Sequence, residues 1–224
     1  MPRRPPVPPI DPAALPLAKP VDEIPLGSID ELRRSAASCR ACPLWRPATQ
    51  TVFGEGPDDA MAMLIGEQPG NQEDLDGSPF VGPAGQLLDR ALAEAGITRD
   101  TLYLTNTVKH FKFEVRGKVR LHQRANASEQ AACRMWLAAE LARVQPRLVV
   151  CLGAMAAQTV FGASFRVTKE RGRWIELIND VRGLATWHPA AVLRTPGDRR
   201  AQAYAEFAAD LALLAKAMRG KKRS

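Results

Sequence analysis

Short apolar runs alternate with amphipathic stretches along most of this chain. Residues 61–65, Met-Ala-Met-Leu-Ile, are continuously apolar and stop at Gly66-Glu67-Gln68-Pro69-Gly70, a pattern that predicts a strand closed by a turn. Residues 84–95 put Leu88, Ala91, Leu92 and Ala95 on one helical face, with Gly96 as the stop. Residues 102–106 predict the next strand, and a long polar loop leads on to Asn126. The Asn126 side chain can cap a helix with Glu129, and that helix reaches about Val144. Residues 147–152 predict a third strand, followed by a helix to Phe161. Residues 166–179 read as a turn or hairpin region, residues 183–187 as a fourth strand, and residues 198–218 as a last amphipathic helix. Upstream, Ser28-Ile29-Asp30-Glu31 reads as a capping box that opens a helix ending near Cys39-Arg40-Ala41-Cys42.

Strands alternating with helices predict an α/β fold, a three-layer α/β/α sandwich around a mainly parallel sheet. In such sheets, sites form beyond the carboxyl ends of the strands. Glu67, Gln68, Asn106 and His188 fall there. Nine of the 18 prolines lie in the first 25 residues, so residues 1–27 are expected to be a disordered or draped leader. Residues 28–218 form the expected domain, and residues 219–224 a basic tail. The chain has no apolar run long enough to span a membrane and no apolar stretch like that of a secretory signal, which leads to the expectation of a cytoplasmic monomer.

Charge sharpens the picture. The chain carries 31 Lys and Arg against 24 Asp and Glu, a net +7, which favours a polyanionic partner. Residues 109–124 hold six Lys or Arg and one acid, Glu114, with Phe111 and Phe113 interleaved and both His110 and His122 present. Such a loop beside the site suits phosphate contact. Phe80 lies between prolines in Ser78-Pro79-Phe80-Val81-Gly82-Pro83 and is either core or a stacking platform for a base. The cysteines are Cys39, Cys42, Cys133 and Cys151. A C-x2-C pair within a set of four suggests a metal site, with zinc and an iron–sulfur cluster both open.

Taken together, these motifs resemble the uracil-DNA glycosylase superfamily. Gly66-Glu67-Gln68-Pro69-Gly70 is similar to its first motif, and His188-Pro189-Ala190 to its second, usually His-Pro-Ser. The iron–sulfur members, and among them the UdgX-type proteins, resemble the chain most. They share the first motif in this form, the stretch Asn106-Thr107-Val108-Lys109-His110-Phe111-Lys112-Phe113, and a basic loop ending in histidine. The resemblance spans about residues 28–218.

The resemblance implies the uracil-DNA glycosylase fold and a [4Fe–4S] cluster on Cys39, Cys42, Cys133 and Cys151. It implies uracil-containing DNA as partner, the base being flipped into a pocket. Phe80 would stack on the uracil, with Asn106 and Gln68 binding its polar edge, and His188 would stabilise charge on the departing base. His122 would then capture the sugar at C1′, activated by Glu67, while Arg120 steadies the loop or a phosphate. Two departures stand out. Lys118-Val119-Arg120-Leu121-His122 replaces Lys-Arg-Arg-Ile-His, and Ala190 replaces the motif's serine. A hydrolytic glycosylase and a non-catalytic binder of damaged DNA are the alternatives.

Overall fold

The computed structural model describes residues 15–19, 21 and 23–220. The elements run α1 (Ile29–Ala37), β1 (Ala62–Gly66), α2 (Asn71–Asp76), α3 (Pro83–Glu94), β2 (Leu102–Asn106), β3 (Phe113–Arg116), β4 (Val119–His122) and α4 (Ala127–Val144). There follow β5 (Leu148–Leu152), α5 (Ala154–Phe161), α6 (Val167–Glu170), β6 (Trp174–Glu176), β7 (Arg182–Thr186), α7 (Pro189–Arg194) and α8 (Arg199–Gly220). Both expected capping boxes form. Glu31 accepts the Ser28 amide at 2.7 Å, and Glu129 accepts the Asn126 amide at 2.7 Å.

The main sheet has the order β2-β1-β5-β7-β6, with the first four strands parallel and β6 antiparallel on the β7 edge. Alternate residues feed two cores. Ala62, Leu64, Leu104, Val150 and Leu184 pack with Leu88 and Leu92 of α3 and Phe207 and Leu211 of α8. Met63, Ile65, Tyr103, Val149 and Ala185 pack on the other face with Leu32 of α1, Leu137 of α4 and Met155 of α5. Burial on both faces is why β1 and β5 read as unbroken apolar runs rather than alternating ones. This is the expected three-layer sandwich.

From β1 the chain goes to β2 on one side, and it returns to β5 on the other. The crevice of such a sheet opens between β1 and β5, beyond their carboxyl ends. Glu67 follows β1 there, and Gly153 follows β5.

Three details differ from the sequence expectation. The polar loop after β2 contains a hairpin, β3 and β4, with Arg116 opposite Val119 and Gly117 at φ 61° in its two-residue turn. Residues 166–179 contain both α6 and the edge strand β6. The packed body also reaches past Ser28 towards the N-terminus: Leu15 is buried in the α4–α5 core, and the Ala18 amide donates to Thr159 O of α5 at 3.0 Å. The expected basic tail at Lys221–Arg223 lies outside the described residues. Among those described, no helix is long and apolar enough to cross a membrane.

Candidate active site

A cavity of about 500 Å³ lies at the carboxyl edge of the sheet, and Glu67, Gln68, Phe80, Asn106, His122 and His188 all line it. The sheet brings three of them together directly. Gly66 pairs with Asn106 in the β1–β2 register, so Glu67 and Asn106 leave adjacent strands at one level. The Glu67 carbonyl is fixed by the Val108 amide at 3.1 Å and the Thr107 hydroxyl at 2.5 Å. Asn106 is buried, and its side-chain amide makes no hydrogen bond among the described residues, so it remains available to a ligand.

His188 caps α7. Its Nδ1 accepts the Ala190 amide at 3.1 Å, which leaves the ring proton on Nε2. Burial first, then Arg194 and His122, push its pKa down to about 4. At neutral pH it is therefore an uncharged donor, suited to stabilising negative charge as it develops rather than to delivering a proton as imidazolium.

Phe80 forms one wall, in a backbone conformation that side chains rarely adopt, at φ 56°. Its surroundings enforce that geometry. A Cβ on Gly66 would lie 2.6 Å from the Phe80 ring, and one on Gly85 would collide with the Phe80 carbonyl. Arg99 grips the Pro79 and Phe80 carbonyls at 2.8 and 3.3 Å. The buried Glu73 carboxylate accepts the Gly70 and Gly82 amides at 3.0 and 2.8 Å, tying the first motif to the Phe80 loop. The sequence reading missed Glu73, although its place three residues after Gly70 marks a capping position.

His122 arrives on the hairpin rather than on the sheet. Its ring lies 6.2 Å from Phe111, and burial lowers its pKa, opposed by Glu67 and reinforced by Arg194. Arg194 is a second residue that the sequence reading missed. It sits in the last turn of the short helix that His188 caps and lines the same cavity.

Gln68 is a correction. It was expected to bind uracil, but its side-chain NH2 donates to Lys112 O at 3.2 Å and Gln123 O at 3.1 Å, and its oxygen accepts the Ala125 amide at 3.2 Å. Its polar atoms bind the root of the hairpin. Arg120 binds the hairpin's other end, donating to Asn71 Oδ1 at 2.7 Å and to the fully buried Asp74 carboxylate at 2.6 Å. The guanidinium also lies 4.9 Å from the Phe113 ring centre. These contacts hold β4 against α2 and the Asp74 carboxylate.

The basic loop is likewise less uniform than its composition. Lys109 and His110 are buried. Lys109 pairs with Glu140 at 2.6 Å, and His110 Nε2 meets the Thr51 hydroxyl at 2.9 Å.

The cysteines divide. Burial pushes the Cys133 thiol up to about 12, and Cys42 and Cys39 are near enough to contribute. Cys39 also accepts from Trp136 Nε1 at 3.2 Å, and Cys133 from the Lys109 amide at 3.2 Å. Cys151 stands apart in β5, two strands in from β2, and burial alone raises its thiol. Three thiols therefore gather and the fourth does not, a correction to the expected set of four. Among the described residues, no three His, Cys, Asp or Glu side chains converge tightly enough to hold a single metal ion. Sulfurs sharing one zinc would lie within about 4.6 Å of each other, given bonds of about 2.3 Å.

The chain matches the uracil DNA glycosylase superfamily over residues 53–212. It is 38% identical to a Type-4 uracil-DNA glycosylase of Thermotoga maritima, over 70% of this chain and 78% of the relative. It is 35% identical to one of Archaeoglobus fulgidus over 75% and 85%, and 33% identical to one of Pyrobaculum aerophilum over 83% and 92%. A match that spans the sheet, the Phe80 loop and the His188 motif, joined by relatives of similar length, means that the chain belongs to the uracil DNA glycosylase superfamily.

Proposed function

We propose that this protein excises uracil from DNA and that His122 then captures the abasic sugar covalently. The observation that carries the reading is the convergence of Glu67, Asn106, His122 and His188 on one cavity walled by Phe80. Uracil stacks on Phe80 and pairs with the Asn106 amide. The C1′–N1 bond breaks with its electron pair leaving on uracil, and the His188 Nε2–H donates to the oxygen where that charge collects. A ring nitrogen of His122 gives its lone pair to C1′, and the proton on its other nitrogen passes to the Glu67 carboxylate. A tethered imidazole at the sugar outcompetes water through its effective concentration.

Cys39, Cys42 and Cys133 are proposed to hold a [4Fe–4S] cluster, whose wider span suits thiols that do not converge on one point. Held there, the cluster would serve structurally, joining α1 to α4. His110 is the candidate fourth donor in place of Cys151. The Thr51 hydroxyl donates its one proton to Ala36 O at 3.0 Å, so at the 2.9 Å contact it accepts from His110 Nε2. That leaves Nδ1 with a lone pair, as in an oriented metal-ligating imidazole. Purified protein is expected to be brown, with broad absorbance near roughly 400 nm. Cys151→Ser should keep the colour and His110→Ala should lose it.

The functional test incubates the protein with uracil-containing and matching thymine-containing DNA and then denatures it. A denaturation-resistant adduct on uracil-containing DNA alone supports the full reading. Abasic product without an adduct means a hydrolytic glycosylase, and neither product means a non-catalytic binder.

A further inference from the structure

Directly behind the pocket lies a charged cluster that the chemistry above does not use. Lys109 and Glu140 are both fully buried, their side chains 1% and 0% exposed. Every proton of the Lys109 ammonium is committed: to Glu140 Oε2 at 2.6 Å, to Thr105 Oγ1 at 2.6 Å and to the Asn106 carbonyl at 2.7 Å. Glu140 in turn accepts the Gly54 amide at 2.9 Å, Thr105 Oγ1 at 2.9 Å and Tyr103 OH at 3.3 Å. The Lys109 amide meanwhile donates to Cys133. A buried ion pair is a poor device for stability, because desolvation consumes most of its attraction. What this one does have is direction, since one of its three fixed bonds ends on the backbone of Asn106.

We propose that the Lys109–Glu140 pair is a positioning device for uracil recognition. It pins the Asn106 carbonyl from behind, so that the Asn106 side chain meets the base at one fixed depth and angle. The inference rests on the reading of Asn106 as the residue that pairs with uracil. Thr105 is the third member, because its hydroxyl accepts from the lysine and donates to the glutamate. Neither charged residue touches the cavity, so both act through Asn106. The Lys109 amide also makes the pair a mechanical link from the thiol cluster to the pocket.

The test compares uracil excision and undamaged-DNA affinity for Lys109→Met/Glu140→Leu, alone and in an Asn106→Ala background. Removing both charges together leaves neither buried and unpaired. Excision should fall by roughly ten- to hundredfold, the scale of a small misplacement of a positioning group. Affinity for undamaged DNA should not change, and the pair substitution should cost nothing further once Asn106 is alanine, because coupled residues are non-additive. Wild-type excision by a folded double variant would overturn the inference. So would a loss that also weakens undamaged-DNA binding and adds fully to that of Asn106→Ala. If Asn106→Ala alone is neutral, the reading of Asn106 fails and takes the inference with it. Should circular dichroism show the double variant unfolded, Thr105→Val carries the test. It is close in shape and lacks the shared hydroxyl, and a several-fold loss that vanishes in the Asn106→Ala background is expected, whereas a wild-type rate overturns the proposal.

Discussion

The two sides of the pocket are held by opposite means. Glu67, Asn106 and His188 stand just beyond or at the ends of β1, β2 and β7, strands sealed between two apolar cores. His122 stands on the β3–β4 hairpin, where Val115 is 64% and Val119 57% exposed. That hairpin has almost no core of its own, and polar clamps fix it, Gln68 at its root and Arg120 near its tip. The groups proposed to read the base and assist its departure ride on the rigid body, while the group proposed to capture the sugar rides on an appendage. Recognition and capture should therefore be separable by mutation.

The sharpest separation is expected from His122→Ala. Adduct formation should disappear altogether in denaturing gels. Uracil release should persist, because Glu67, Asn106 and His188 keep their supports and water can enter the vacated space. Loss of both products together would mean that the hairpin also serves the bond-breaking step. Peptide mapping of the wild-type adduct supplies the direct check: attachment at any residue other than His122 would refute the assignment.

Arg120→Ala should come next. It leaves the fully buried Asp74 carboxylate with only its Thr49 partners. Breaking one end of a buried ion pair costs about 3–5 kcal/mol. Because Arg120 is partly exposed, the loss should fall at the lower end. Capture should slow by roughly a hundredfold, with uracil release within a few-fold of wild type. Adding Asp74→Asn sharpens the comparison, since neutralising the stranded carboxylate should recover melting temperature without recovering capture.

The same division explains what the sequence made legible. Strands buried on both faces announce themselves as apolar runs, and the capping boxes at Ser28 and Asn126 follow from local residue types. Both formed, and the strand ends delivered Glu67, Asn106 and His188 to one cavity. The hairpin was hidden because charge dominates its composition, although Phe113-Glu114-Val115-Arg116 alternates and Gly117 supplies the turn. The long-range polar contacts had no local signature. Nothing around Gln68 indicates that its amide would meet carbonyls at residues 112 and 123, nor do the neighbours of Lys109 reveal Glu140 as its partner. Counting basic residues placed Lys109 on a DNA-facing loop, whereas its charge is neutralised inside the protein. The cysteines show the same limit, because sequence spacing could not tell the three that gather from Cys151, which lies in a central strand.

Gln68→Ala tests the lesser clamp. Its loss removes three hydrogen bonds at the hairpin root, each worth about 1 kcal/mol net, while Arg120 still holds the tip. Capture should slow about tenfold, less than for Arg120→Ala. Discrimination between uracil and thymine should stay intact, because Gln68 spends its amide on backbone atoms. Relaxed discrimination with normal capture would restore Gln68 as a reader of the base.

The smallest effect concerns pH and divides the two histidines by their settings. Both are held below the ordinary histidine value of 6.5, His188 down to about 4, chiefly by burial. Each serves as the neutral ring, so both functions are intact above pH 6.5. As pH falls, His122 should protonate first, because its shift is the smaller, and a protonated imidazole has no lone pair for C1′. The ratio of adduct to free abasic product should thus decline between pH 6.5 and 4 while uracil release continues. Stability follows the same sign. The unfolded chain takes up these protons at higher pH than the folded one, so their contribution is complete above pH 6.5 and is lost as pH falls towards 4. Arg194 lowers both histidines. Arg194→Ala should therefore raise both pKa values and move the decline in the ratio to higher pH. Because Arg194 is exposed and its charge is screened, the change near pH 6 should be only about two- to threefold. A profile that does not move would mean that Arg194 does not act on His122, whereas a move to lower pH would contradict the proposed electrostatics of the pocket.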